Sequence, residues 1–187
     1  MVNFSLTSNE IYSSAFRELG INDFHSACEY LVKLPYGRNA NRHDFLLTLK
    51  EGKGTCSSKH AILAYLADEN GQTDIELIVG IFLMSAETHP KLTAFFSDKS
   101  YDCFPEAHCY LRYQGDRFDY TDSSNALARI APKIVREQRA EPQQLVDWKP
   151  MIHKHYMEGW LKRNPQIELS IEELWSEREE AIVELSK

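Results

Sequence analysis

The sequence predicts a mixed α+β fold, with helices first, an antiparallel sheet behind them and a helical C-terminal tail. Apolar residues recur at helical spacing through the first third of the chain, change to a β-branched apolar run at 75–84, and return to helical spacing after residue 150. Apolar residues make up 43 % of the 187-residue chain, which is enough to bury a core. We expect one domain over residues 1–187, with its core at about 36–124 and a helical extension at about 150–187.

Three helices are predicted before Cys56. Residues 9–19 carry apolar side chains three and four positions apart, and Gly20 is suited to end that helix. A second helix is expected to end before Pro35, because the residue preceding a proline disfavours helical backbone. After a turn-rich loop that begins at Tyr36, a short helix is expected over residues 44–50.

The middle of the chain is predicted to combine one helix with strands. The segment that starts at Cys56 carries an apolar stripe and stops at Asn70-Gly71, as a helix would. The run at 75–84 is typical of a central strand. Residues 89–104 show little pattern and are expected to form a long loop or a short helix. Residues 108–122 alternate around a Gln-Gly-Asp turn, which predicts a β-hairpin.

Two further helices are expected in the tail, over residues 151–163 and 171–185. Ser170 and Glu173 form a capping-box pattern at the start of the second, because each side chain can accept a hydrogen bond from the other residue's amide. Three tryptophans of this region are expected to pack the tail onto the domain. They are Trp148, Trp160 and Trp175.

The net charge of −7, from 28 acidic and 21 basic residues, argues against nucleic-acid binding, which depends on neutralising phosphates. No apolar stretch approaches the roughly 20 residues that span a bilayer. The N-terminus lacks the basic and apolar regions of a secretory signal. We therefore expect a soluble cytoplasmic protein without nucleic-acid or membrane partners.

The four cysteines (Cys28, Cys56, Cys103 and Cys109) are irregularly spaced and include no C-x-x-C pair. In a cytoplasmic chain this pattern favours free thiols over a disulfide framework. It also gives little support for a structural zinc site. We expect neither a metal nor an organic cofactor.

Cys56 is the candidate nucleophile. It follows the loop Gly52-Lys53-Gly54-Thr55 and opens the predicted helix. The partial positive charge of a helix N-terminus favours thiolate over thiol. The glycines let the backbone approach a substrate closely, and the amide of Cys56 can donate to a developing oxyanion. A purely structural cysteine is more often found within an apolar stripe, as Cys28 is.

His108 is the candidate base. It lies at the start of the predicted hairpin, with a helix and a strand between it and Cys56. A neutral imidazole there could take the thiol proton, and an imidazolium would favour the thiolate. The alternative is a strand histidine that pairs with a backbone carbonyl. Cys109 points to the other face of the strand and is expected to be core.

The returning strand offers two carboxylates to orient His108, and the length of the turn decides between them. A three-residue turn over 114–116 would pair His108 with Asp122 on one face of the sheet. A two-residue turn would shift the register by one and bring Asp119 to that face instead. The apolar alternation leaves both open.

The order of these pieces resembles the transglutaminase-like superfamily, whose fold is papain-like. The resemblance covers about seventy residues, and Tyr110 and Phe118 stand where that family usually has tryptophan. Its pieces are Gly54-Thr55-Cys56, the helix over Ala61 to Leu66, the strand over Ile75 to Leu83, His108-Cys109-Tyr110, and Phe118 to Asp122. The resemblance therefore implies a papain-like or transglutaminase-like core within the predicted α+β fold.

The resemblance further implies a Cys-His-Asp triad. The family's aspartate falls four residues after an aromatic residue, which here selects Asp122 after Phe118 and keeps Asp119 as the alternative. Its members often add an upstream side chain as second oxyanion donor, for which Asn39 and Asn41 are the candidates.

The expected function is that of a cysteine enzyme acting on amide bonds through a thioester, as a peptidase, amidase or acyl transferase. The substrate would be a peptide or a small amide. Two alternatives remain. The chain could be a non-catalytic papain-like binding domain, or a helical interaction protein whose acidic tail from Ser170 is the functional part.

Overall fold

The structure, a computed structural model, describes residues 2–185 and has the mixed α+β fold that the sequence predicts. The helices are α1 (Ile11–Glu18), α2 (Phe24–Lys33), α3 (Leu47–Lys50), α4 (Cys56–Glu69), α5 (Thr93–Ser97), α6 (Ala126–Ile130), α7 (Trp148–Arg163) and α8 (Ile171–Leu185). The strands are β1 (Glu76–Ser85), β2 (Cys103–Tyr113), β3 (Asp116–Phe118) and β4 (Ile134–Arg139). None of the helices in the described part of the chain is long and apolar enough to cross a membrane.

The four strands form one antiparallel sheet in the order β3-β2-β1-β4. β1 lies between two neighbours and is buried along most of its length, which explains its continuous apolar run. β4 carries charged residues and is partly exposed at an edge of the sheet. Its sequence, IVREQR, therefore lacks the alternation that would identify a strand.

The β2–β3 hairpin turns over two residues, Gln114 and Gly115. Both have positive φ angles, of 52° and 88°, as hairpin turns of this length commonly require. The register pairs Leu111 with Phe118 and Tyr113 with Asp116. The predicted hairpin is confirmed, but its turn is one residue shorter than the Gln-Gly-Asp pattern suggested, and the ladder stops at Phe118.

The described residues divide into two compact units. The first unit comprises residues 2–79, 109–125 and 138–146, and the second comprises 80–108, 126–137 and 147–185.

The first unit is built around α4. This helix is buried around most of its circumference, with Asp68 exposed and Ser57, Ala64 and Tyr65 partly buried on one side. The apolar stripe predicted from the sequence covers only part of its buried surface. Helices α1 and α2 pack against it, together with a short 3₁₀ helix at Pro142–Leu145. A helix buried over most of its surface is a core element, and Cys56 is the first residue of α4.

In the second unit, α7 and α8 pack together and form part of its core. Trp160 of α7 contacts Tyr101 edge to face, and Trp175 of α8 does the same with the ring of His153. The predicted capping box of α8 is confirmed, because the amide of Ser170 donates to Glu173 at 2.8 Å and the amide of Glu173 donates to Ser170 at 3.2 Å.

Candidate functional site

Cys56 is fixed by reciprocal hydrogen bonds at the start of α4. Thr55 caps the helix: its hydroxyl accepts from the amide of Ser58 at 3.3 Å, and its amide donates to the hydroxyl of Ser58 at 3.0 Å. The thiol therefore lies in the first turn of a 14-residue helix, where the helix dipole favours a negative charge. Cys56 is only 6 % exposed, so little of its surface is open to a substrate.

Gly54 is required by close packing two residues before Cys56. It pairs with the chain around Tyr36: the amide of Gly54 donates to Pro35 O at 3.1 Å, and the amide of Gly37 donates to Gly54 O at 3.2 Å. A Cβ atom at Gly54 would lie 2.8 Å from both Thr48 Cγ2 and Ser58 Oγ. The glycine that the sequence suggested for substrate access thus has a packing role as well.

We expect Gly54→Ala to lower the free energy of unfolding by about 1–3 kcal/mol, because backbone or core side chains must shift to admit the methyl group. Gly159→Ala is the control: it lies within α7, where the added Cβ would meet only the movable end of Arg163, at 3.3 Å. That variant should gain up to about 1 kcal/mol from helix propensity. Urea denaturation followed by circular dichroism measures both, and a Gly54→Ala protein as stable as the parent would contradict this packing role.

The first turn of α4 contacts β2 through Ser57. The hydroxyl of Ser57 lies 3.6 Å from the sulfur of Cys109, which is fully buried. Cys109 is therefore a core residue, as expected. His108, the residue before it in β2, is half-buried and belongs to the second unit.

Lys59 is a fully buried lysine three residues after Cys56, and the sequence analysis did not single it out. Its Nζ donates to Leu34 O at 2.5 Å and to Thr121 O at 2.7 Å. Burial lowers the pKa of this ammonium to about 8, although the negative charges of Asp122, Asp119 and Cys56 act in the opposite direction.

His60, four residues after Cys56, is also fully buried. Its Nδ1 lies 2.8 Å from Cys56 O, and its Nε2 accepts from the amide of Tyr120 at 2.8 Å. An Nε2 that accepts a hydrogen bond leaves the ring proton on Nδ1, so this geometry fits a neutral imidazole. His60 joins the first turn of α4 to the chain that follows β3.

The two candidate carboxylates occupy different environments. The side chain of Asp119 is 8 % exposed; its Oδ1 lies 3.6 Å from His60 Nε2 and accepts from the amide of Thr121 at 2.9 Å. Asp122 is exposed and accepts from the amide of Ser124 at 2.7 Å. The hairpin has the two-residue turn that, in the sequence analysis, would bring Asp119 to the face of His108. The family's spacing of four residues between an aromatic residue and the aspartate instead selects Asp122.

Asn39 and Asn41 line an open depression beside the start of α4. Its space of about 440 Å³ includes open solvent, and Thr55, Ser57 and Ser58 form part of its wall. The amide of Asn39 donates to Glu51 at 3.2 Å and to Lys53 O at 3.1 Å, whereas Asn41 uses its Oδ1 to accept from the amide of His43 at 3.0 Å. The remaining lining residues are Arg38, Arg42, Asp44, Phe45, Leu145 and Val146.

Two of the other cysteines have thiols with raised pKa values. Burial raises the pKa of Cys28 to about 12 and is also the largest of the causes that raise the pKa of Cys103 to about 11. Both are therefore neutral thiols at physiological pH. All four cysteines are free, and within residues 2–185 no three or more His, Cys, Asp or Glu side chains are arranged to hold a metal ion.

Comparison of the chain with protein families, curated proteins and solved structures gave no match.

Proposed function

We propose that this chain is an acyl-transfer enzyme with a cysteine nucleophile. More particularly, it would be a transglutaminase-like cysteine enzyme that acts on the amide bond of a peptide or a small amide, as a hydrolase or an acyl transferase. The observation that carries the proposal is the position of Cys56, as first residue of a capped helix whose first turn lies beside carboxylates and a buried lysine.

In the proposed mechanism, His108 takes the thiol proton and the Cys56 thiolate attacks the amide carbon. The oxyanion forms beside the amide of Cys56, and Asn41 is the preferred second donor because the amide of Asn39 already binds Glu51 and Lys53. The C–N bond breaks, His108 gives its proton to the leaving amine, and a thioester remains. Water, deprotonated by His108, then releases the acid; a second amine would release a new amide instead.

The carboxylate that orients His108 is assigned to Asp119 in this proposal. Asp119 is buried beside α4, and the two-residue turn has the register for which the hairpin argument selects it. Asp122 is the rival, supported by the spacing of the transglutaminase-like pattern.

Alkylation of Cys56 tests the nucleophile. The rate of reaction with iodoacetamide, followed across pH by mass spectrometry of the Cys56 peptide, should show a thiol pKa below the ordinary value of about 8.5. Cys103 serves as an internal reference, because its pKa is raised. If Cys56 reacted only at a pH above that ordinary pKa, the result would favour the alternative of a non-catalytic binding domain. The low exposure of Cys56 is compatible with that alternative.

A second measurement tests whether Cys56 is acylated by an activated ester. Incubation with p-nitrophenyl acetate should release p-nitrophenol and leave an acetyl group on Cys56, and Cys56→Ser should show neither. Cys103→Ser is the matched control and should behave as the parent does. Equal p-nitrophenol release by Cys56→Ser and the parent would reject the proposed function.

A further inference from the structure

Lys59 lies in α4 and donates hydrogen bonds to two other segments of the first unit. Lysine is almost never fully buried without partners, and this one donates to two backbone carbonyls from within α4. One acceptor, Leu34, is the C-terminal cap residue of α2; the other, Thr121, lies between the two candidate carboxylates. The ammonium of Lys59 thus binds one segment that precedes α4 in the chain and one that follows it.

The Leu34 contact reaches the loop before Cys56. Leu34 directly precedes Pro35, whose carbonyl accepts from the amide of Gly54 at 3.1 Å. Gly54 also packs against Lys59, since a Cβ atom there would lie 3.0 Å from Lys59 Cγ. A displaced Lys59 would therefore disturb the backbone two residues before Cys56.

The Thr121 contact holds the segment that carries the carboxylates. Lys59 interacts electrostatically with Asp122 and Asp119 of that segment and with Cys56 on its own helix. The hydrogen bonds of the neighbouring His60 fit a neutral imidazole. At the end of α2, the group that contacts Lys59 is the uncharged carbonyl of Leu34. Lys59 is thus a cation that interacts with both the thiol and the two carboxylates.

We propose that Lys59 is a positioning residue of the thiol site, whose buried ammonium favours the thiolate of Cys56 and holds the 119–122 segment against α4. This inference rests on the proposed function, because it assigns Lys59 a role toward the proposed nucleophile. Electrostatic coupling between two sites is reciprocal. The ammonium lowers the pKa of Cys56 by the same amount as the thiolate raises the pKa of Lys59.

The test measures that coupling from both ends. Lys59→Met keeps the length and removes the charge, and should reduce alkylation of Cys56 at pH 7 by roughly tenfold, the effect of one pKa unit. In the other direction, NMR titration of the Lys59 ammonium should give a lower pKa in Cys56→Ala than in the parent, by the same shift. A structural role alone would leave both pKa values unchanged.

The outcomes separate the two proposals. A parent protein whose Cys56 is not acylated would reject the proposed function, whereas equal Cys56 profiles in the parent and a folded Lys59→Met would reject the role of Lys59. Should Lys59→Met fail to fold by circular dichroism, the Cys56→Ala titration decides, and an unchanged Lys59 pKa there would overturn the inference.

Discussion

Asp119→Asn is expected to slow acylation of Cys56 by about a hundredfold or more, because an amide cannot stabilise the imidazolium that the proposed mechanism forms on His108. Asp119 is also the carboxylate buried beside α4, 3.6 Å from His60. Asp122→Asn should slow acylation by less than about tenfold, since Asp122 is exposed and screened by water. The rate of the p-nitrophenol burst in each variant provides the measurement.

The two asparagine variants control for each other, because each removes one negative charge from the surroundings of Lys59. The loss of a negative charge near Lys59 should therefore change the acylation rate of both variants. A difference between their rates should come only from the loss of the carboxylate that orients His108. If Asp122→Asn slowed acylation more than Asp119→Asn, the orienting carboxylate would be Asp122, as the spacing of the transglutaminase-like pattern predicts. The assignment to Asp119 from the hairpin register would then be wrong.

In the second unit, Glu106→Gln should lower the free energy of unfolding by about 3–5 kcal/mol, because it leaves Arg178 without its buried partner. The guanidinium of Arg178 donates to both oxygens of Glu106, at 2.6 and 2.7 Å, and Glu106 is 4 % exposed. Glu179→Gln is the matched control. It removes a more exposed carboxylate, 2.7 Å from the same arginine, and should cost less than about 1 kcal/mol.

The same pair makes stability depend on pH in a defined direction. Burial would raise the pKa of Glu106, but the charges of Arg178 and then His153 outweigh it and hold the pKa at about 2. A lowered pKa stabilises the fold above the pH at which the unfolded glutamate titrates, and that contribution disappears as the pH falls towards 2. Between pH 5 and 2 the parent should lose about 3 kcal/mol more than Glu106→Gln does.

Denaturation with urea at several pH values checks this expectation. Parallel pH profiles for the parent and Glu106→Gln would show that the carboxylate contributes nothing to the acid sensitivity, contrary to the expectation. The control Glu179→Gln should follow the parent, because its carboxylate is more exposed than that of Glu106.

Local sequence patterns were sufficient to predict most of the longer helices. Residues 171–185 form α8 with the predicted bounds, and the capping bonds between Ser170 and Glu173 are present. Cys56 opens a helix, as the glycine-flanked loop before it predicts. These features depend on residues three or four positions apart, so a local pattern is sufficient to specify them.

The environment of Cys56 depends on contacts between distant parts of the chain. Lys59 and His60 stand three and four positions after Cys56, on the same side of the helix, yet nothing in the local sequence indicates that these two polar side chains are buried. Their partners Thr121 and Tyr120 lie about sixty residues away in the chain. The hairpin turn also depends on contacts outside its own residues. The Gln-Gly-Asp sequence allowed a turn of two or three residues, and the pairing of β2 with β3 has the shorter one. Local sequence specifies helices, whereas the burial of a charge and the register of a strand depend on partners that only the folded chain brings together.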